Sequence, residues 1–217
     1  MTYRLVIFDF DGTLADTFPW FVGVLDEVAD RFHLKRLAKG DIESLRQYDA
    51  RQLLKAHQVP LWKVPIIARY VKKRMAADTE RLSLFAGVDE LLRELSDRKI
   101  RLALASSNSY DNIAAILGPE RVALFDDYEC GASLFGKAAK LRKIVNRSGL
   151  SPQEAICIGD EIRDIVAARD ARIPFGAVSW GYTQAEALAA HRPDAIFHRV
   201  EEILEKIIEP RPLASSS

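Results

Sequence analysis

The sequence predicts an α/β protein built on a doubly wound parallel sheet with a Rossmann-like core, interrupted by an all-helical insertion. Three observations lead there: short apolar runs that hardly alternate, amphipathic segments between the later runs, and one long interval of helical periodicity alone. Strands that lack alternation are covered on both faces. Helices lying between them in sequence supply that cover and let the strands run parallel.

The first strand is expected within YRLVIF (3–8), followed by IRLALA (100–105), DYECG (127–131), AICIG (155–159), FGAVSW (175–180) and AIFHR (195–199). DYECG is the weakest of the six. Between the later runs, GVDELLRELSDRK sets Val88, Leu91, Leu92 and Leu95 on one helical face, and a second helix is expected over 138–148. From about Asp16 to Ser83 no run has strand character. Trp20, Val24, Val28 and Phe32 instead fall at near-helical spacing from Pro19 onward. Asp49 with Gln52 resembles a capping box opening a helix to His57, and Pro65 suits a first helical turn. The expected organisation is a core from residues 1–16 and 84–209, a helical cap over 17–83, and a loose tail over 210–217.

The 217 residues include 31 basic and 31 acidic side chains. This balance gives no general attraction to nucleic acid or to an anionic membrane. No segment approaches the roughly 18 uncharged apolar residues of a membrane span, so a cytoplasmic setting is expected. Cys130 and Cys157 lack metal-ligand spacing and read as reduced thiols in or near the core.

The strand ends carry the chemistry. If 6–8 is a buried strand, Asp9 and Asp11 of DFDGT share a face at its carboxyl end, the edge where open α/β sheets bind ligands. Asp11-Gly12 reads equally well as a turn. Three other strand ends add matching groups: Ser106-Ser107-Asn108 after LALA, Lys137 in LFGKAAK, and Asp160, Glu161 and Asp164 in GDEIRD. Each has a plain structural reading as a cap, a surface charge or a first-turn acid. Together, the acids offer oxygen ligands to a hard cation such as Mg²⁺, and a lysine with a hydroxyl at a helix start suits phosphate.

On these four motifs the chain resembles the haloacid dehalogenase superfamily, in its phosphatase branch with a helical cap after the first strand. The segment VSWGY near the end is similar to one in phosphoglycolate phosphatase-like proteins. The resemblance implies hydrolysis of a small organic phosphate monoester through an aspartyl-phosphate. Asp9 would be the nucleophile and Asp11 the acid and base. Mg²⁺ would be held by Asp9, the Asp11 carbonyl and Asp160, with Asp164 in support. Ser106 and Lys137 would hold phosphoryl oxygens, helped by backbone N–H groups near Phe10, Asp11 and Ser107, and Thr13 would brace the nucleophile loop.

The same residues would also serve a sugar-phosphate phosphomutase, or a binding protein that kept the fold without turnover. A dehalogenase has no use for Asp11 or Asp160, and phosphonate cleavage would need a cap lysine such as Lys55. The sequence departs from its relatives at Lys99 and Arg172, where glycine is common after a helix, and at Ala138, where proline is common. In the cap, Arg46, Tyr48, Arg51, Lys55 and His57 read as solvated side chains, and Trp62, Ile66, Ile67 and Tyr70 as packing residues.

Overall fold

The computed structural model describes residues 3–36, 46, 54–55, 58–131 and 136–209. Six strands form one sheet: β1 (Leu5–Phe8), β2 (Arg101–Ala105), β3 (Asp127–Glu129), β4 (Ala155–Gly159), β5 (Phe175–Val178) and β6 (Ala195–Phe197). Their order is β3-β2-β1-β4-β5-β6, and every neighbouring pair is parallel. All six expected runs are strands. All but β4 are shorter than their apolar run, because the sheet ends where the chain turns toward a helix or a site loop.

Among the described residues, eight α-helices of six residues or more cover or extend this sheet: α1 (Phe18–Phe32), α2 (Val64–Ala76), α3 (Val88–Asp97), α4 (Tyr110–Val122), α5 (Lys137–Ser148), α6 (Ile162–Asp170), α7 (Ala185–Ala190) and α8 (Glu201–Ile208). The two faces of the strands separate by residue parity, as a period of two requires. Val6, Phe8, Leu102, Leu104, Ile156 and Ile158 pack with Leu91, Leu92 and Leu95 of α3, Ile113 of α4 and Ile203 of α8. Leu5, Ile7, Ala103, Ala105 and Cys157 face Leu141 and Ile144 of α5 and Ile165 of α6. Both cysteines are free thiols, Cys157 in this second layer and Cys130 half-buried.

Two turns carry the unusual residues noted above. Lys99 and Arg172 adopt left-handed conformations, with φ of 62° and 59°. In α4, Gly118 leaves helical geometry just before Pro119, so that stretch is two helical pieces joined at a kink.

The segment between β1 and β2 is rooted by paired backbone. Asp16 N donates to Ser83 O at 2.9 Å, Phe85 N donates to Leu14 O at 2.9 Å, and Ala15 bridges antiparallel to Leu84. Outgoing and returning chain therefore start side by side. Above this root, α1 and α2 are tied by Trp20 Nε1 donating to Asp78 at 2.9 Å, Lys63 Nζ donating to Phe32 O at 2.7 Å, and the Phe32 and Tyr70 rings 5.5 Å apart. Pro65 does sit in the first turn of α2.

Trp62 and Ile66, expected as packing residues, are 68% and 51% exposed, whereas Tyr70 packs on Phe32. Leu54 and Lys55 are helical within the expected 50–57 segment and Lys55 is exposed; Tyr48, Arg51 and His57 lie outside the described residues. The tail 210–217 also lies outside them. Among the described residues no helix is long and apolar enough to cross a membrane.

Candidate active site

The strand order reverses between β1 and β4, and the site lies beyond the carboxyl ends of those two strands, where the crevice of a doubly wound sheet opens. Asp9 follows β1 directly. Its N–H still bonds to Ile158 O at 2.8 Å, so it is held by the sheet and its side chain is buried. The chain then folds back, with Leu14 N and Ala15 N both donating to Phe10 O. Gly12 has φ of +76°, and a β-carbon on it would stand 2.3 Å from an Asp160 oxygen. Gly181 fills the same contact from the other side: a β-carbon there would lie 2.4 Å from Gly12 O.

The expected residues of β4 and α5 converge on Asp9. Asp160 and Asp164 are fully buried, and one carboxylate oxygen from each lies within 4.8 Å of the others and of Asp9. Lys137, the first residue of α5, places Nζ 2.9 Å from Asp9 Oδ2 and 2.6 Å from Asp164 Oδ1. Ala138 in place of proline thus leaves the lysine in the site. Ser106 is buried at the end of β2, with Ser107 half-buried beside it.

Three partners lie beyond what the sequence indicates. Thr13, in the loop after β1, donates its hydroxyl to Asp160 Oδ1 at 2.7 Å. The Phe10 N–H, expected on a phosphoryl oxygen, is given to Asp9 Oδ1 at 2.8 Å. Glu161 pairs with Arg163 and so faces a guanidinium.

Burial and like charge set the electrostatics. Burial acts to raise Asp9, but Lys137 and Arg163 outweigh it and hold the carboxyl below its usual range. Asp11 goes the other way: burial, reinforced by the charge of Asp9, pushes it up to about 7. It therefore keeps a proton near neutrality while its neighbour is ionised. Burial and the surrounding carboxylates raise Asp160 well above normal, and burial raises Asp164 to about 7 against the pull of Lys137. Burial opposes the charge on Lys137, yet Asp164 and Asp9 keep it firmly protonated.

Such a cluster fits a hard divalent cation. Its donors are all carboxylate oxygens, and both Asp164 oxygens are buried without a directed hydrogen bond, although Lys137 stands beside one of them.

Sequence reasoning gave no role to four residues that hold this arrangement. Asn108 donates Nδ2 to both Asp11 oxygens, at 3.1 and 3.3 Å, and its own N–H donates to Ser106 Oγ at 3.0 Å. Lys140 Nζ donates to Ser106 O at 2.8 Å, Gly131 O at 2.7 Å and Glu129 O at 3.2 Å, tying the ends of β2 and β3 together. Arg163 adds positive charge behind Asp9. Tyr182 donates its N–H to Asp160 Oδ2 at 2.7 Å while its hydroxyl meets Thr17 Oγ1 at 3.0 Å. The available signals were Asn108 directly after the two serines, Lys140 one helical turn beyond Lys137, and the aromatic residue in VSWGY.

The comparisons with known proteins agree with this geometry. Residues 6–178 match the family of haloacid dehalogenase-like hydrolases. The phosphoglycolate phosphatase of Synechococcus elongatus is 31% identical over 207 residues, covering 95% of this chain and 98% of that protein. That of Caulobacter vibrioides is 29% identical over 211 residues, covering 89% and 86%. Among solved structures, a haloacid dehalogenase-like family hydrolase from Streptococcus pneumoniae superposes with a TM-score of 0.78 at 21% identity, over 94% of this chain and 97% of that one. CbbY from Rhodobacter sphaeroides, in complex with phosphate, gives 0.70 at 22% identity, over 91% and 94%. The family match runs from within β1 to the end of β5 and so takes in every strand end that contributes a side chain to the cluster, and on that ground the chain belongs to the haloacid dehalogenase-like hydrolases.

Proposed function

We propose that the protein is a Mg²⁺-dependent phosphatase that hydrolyses a small organic phosphate monoester through an aspartyl-phosphate on Asp9, with phosphoglycolate, named for its relatives, as the substrate to test first. One observation carries the reading. Asp9 is a buried, ionised carboxylate flanked by Lys137, within reach of two more acids, while Asp11 beside it retains a proton.

In this mechanism the Asp9 carboxylate attacks phosphorus and the ester P–O bond breaks toward the alcohol oxygen. Asp11 gives its proton to that oxygen, so the alcohol leaves neutral. Asp11, now ionised, takes a proton from water as the water attacks phosphorus, and the bond to Asp9 breaks to free phosphate. Lys137 and Ser106 hold the phosphoryl oxygens, with N–H groups near Phe10, Asp11 and Ser107 as further donors. Asp9, the Asp11 carbonyl, Asp160 and Asp164 would hold Mg²⁺, which when bound offsets the repulsion between carboxylate and phosphate. Residues 17–83 act as a cap that excludes water and contacts the leaving group.

The test is Mg²⁺-dependent release of p-nitrophenol from p-nitrophenyl phosphate. Asp9→Asn should lower kcat by at least about 10³-fold, since the covalent route is lost. Equal activity in both proteins would overturn the assignment of the nucleophile.

A further inference from the structure

The cap helix α2 meets the site at Asn108, the residue that donates to Asp11. Two residues one turn apart on that helix meet the site. Met75 is buried and its sulfur lies 3.0 Å from Asn108 Nδ2, the amide nitrogen that also donates to Asp11. Lys72 lies three residues earlier, hence on the same helical face. Its backbone carbonyl accepts Asn112 Nδ2 at 3.1 Å, and Asn112 in turn donates to Asn108 Oδ1 at 3.1 Å. Helix α2 is thus linked through two asparagines, Asn112 and Asn108, to Asp11.

Lys72 is half-buried, and no described residue forms an ion pair with its ammonium group. This sets it apart from Lys137, which has two carboxylates in contact. On the same helix Arg74 is paired with Glu27 and Asp78, while Arg69 and Lys73 are exposed to water. Burial works against the charge on Lys72, and the Asp11 carboxyl is the group that acts in its favour.

A half-buried cation without a counter-ion is a costly arrangement for the protein alone and a favourable one once an anion binds. Asp11 hands its proton to the leaving oxygen, and the helix face that carries Lys72 and Met75 meets Asn108 beside Asp11, so that face lies on the leaving-group side of the site. The phosphoryl group has its own cation in Lys137. We infer that Lys72 is a specificity-determining residue that pairs with a carboxylate on the leaving alcohol, so that the substrate class is the phosphate ester of a small hydroxy acid. This rests on the phosphatase reading and sharpens it, because a second anionic group in the substrate is then selected by the cap.

Phosphoglycolate and ethyl phosphate separate the two claims, since they differ by a carboxylate in place of a methyl group. Wild type should favour phosphoglycolate, and Lys72→Met should lower kcat/KM for it by about 10- to 100-fold, mostly through KM, as expected for a lost charged hydrogen bond. Its kcat/KM for ethyl phosphate should stay within about twofold. Lys72→Arg should recover much of the loss, and it keeps the test alive if the methionine variant folds poorly.

Equal losses on both esters would make Lys72 merely structural and overturn the inference, as would a wild type that does not distinguish them. Failure of wild type to release phosphate from either ester would instead strike the phosphatase reading itself.

Discussion

Asp160 shows how much of the site depends on residues that never touch a substrate. Both of its oxygens are already committed, one to the Thr13 hydroxyl and one to the Tyr182 N–H, and these fix which lone pairs face Asp9 and Asp164. Outer partners of this kind orient a ligand carboxylate and commonly change metal affinity by about 10- to 100-fold. Thr13→Val keeps the shape and removes the hydroxyl, so the Mg²⁺ concentration for half-maximal activity should rise within that range while kcat at saturating Mg²⁺ changes little. Titration of activity against Mg²⁺ checks this. The side chains that meet at the site were legible because carboxylates, a lysine and a serine at strand ends are unusual where bland residues would serve. Asn108, Lys140 and Tyr182 were not, since an amide, a second lysine and an aromatic ring have ordinary roles everywhere and gain meaning only from what they contact.

Elements show a similar division. The strand runs could be read from composition, but their ends depend on caps and turns that involve distant partners. Glu154 is an example. It closes a short turn of 3₁₀ helix before β4, accepting the Ser151 N–H and hydroxyl at 2.9 Å each, and it pairs with Arg4 at the start of β1 at 3.0 Å. The Ser151 N–H, followed by Arg4 and the Ser151 hydroxyl, lowers its carboxyl from 4.5 to about 2. A depressed folded-state value means that ionised Glu154 stabilises the protein above the unfolded value and stops doing so as pH falls through the folded one. The difference in Tm between wild type and Glu154→Gln should therefore be full at neutral pH, shrink below about 4.5, and vanish near 2. Thermal melts across that range check it. Lys99 and Arg172 carry a related lesson: the helix ends were legible, and the structure shows side chains in left-handed geometry that glycine would occupy with less strain.

The whole molecule is held in a state that suits a ligand better than it suits itself. Three buried carboxylates close together are costly without a cation, so binding one should stabilise the fold by mass action, about 2.7 kcal/mol at a hundredfold excess over Kd. For a chain of this size that corresponds to a Tm increase of about 5–10 °C. Asp160→Asn should remove the increase, and a Tm that ignores Mg²⁺ in wild type would argue against the metal site. The parallel sheet and the helices that cover it were visible in the sequence. The order β3-β2-β1-β4-β5-β6 was not, because it depends on which crossovers pass over which face of the sheet.

That order brings the loops after β1 and β5 into contact over Asp160, and they touch through bare backbone at Gly12 and Gly181. A single methyl group at either position would act as a wedge, parting the two loops before any reactive atom had been altered. Variation here is limited by lack of room, and a protein could lose its activity through an alanine that contributes no chemistry at all.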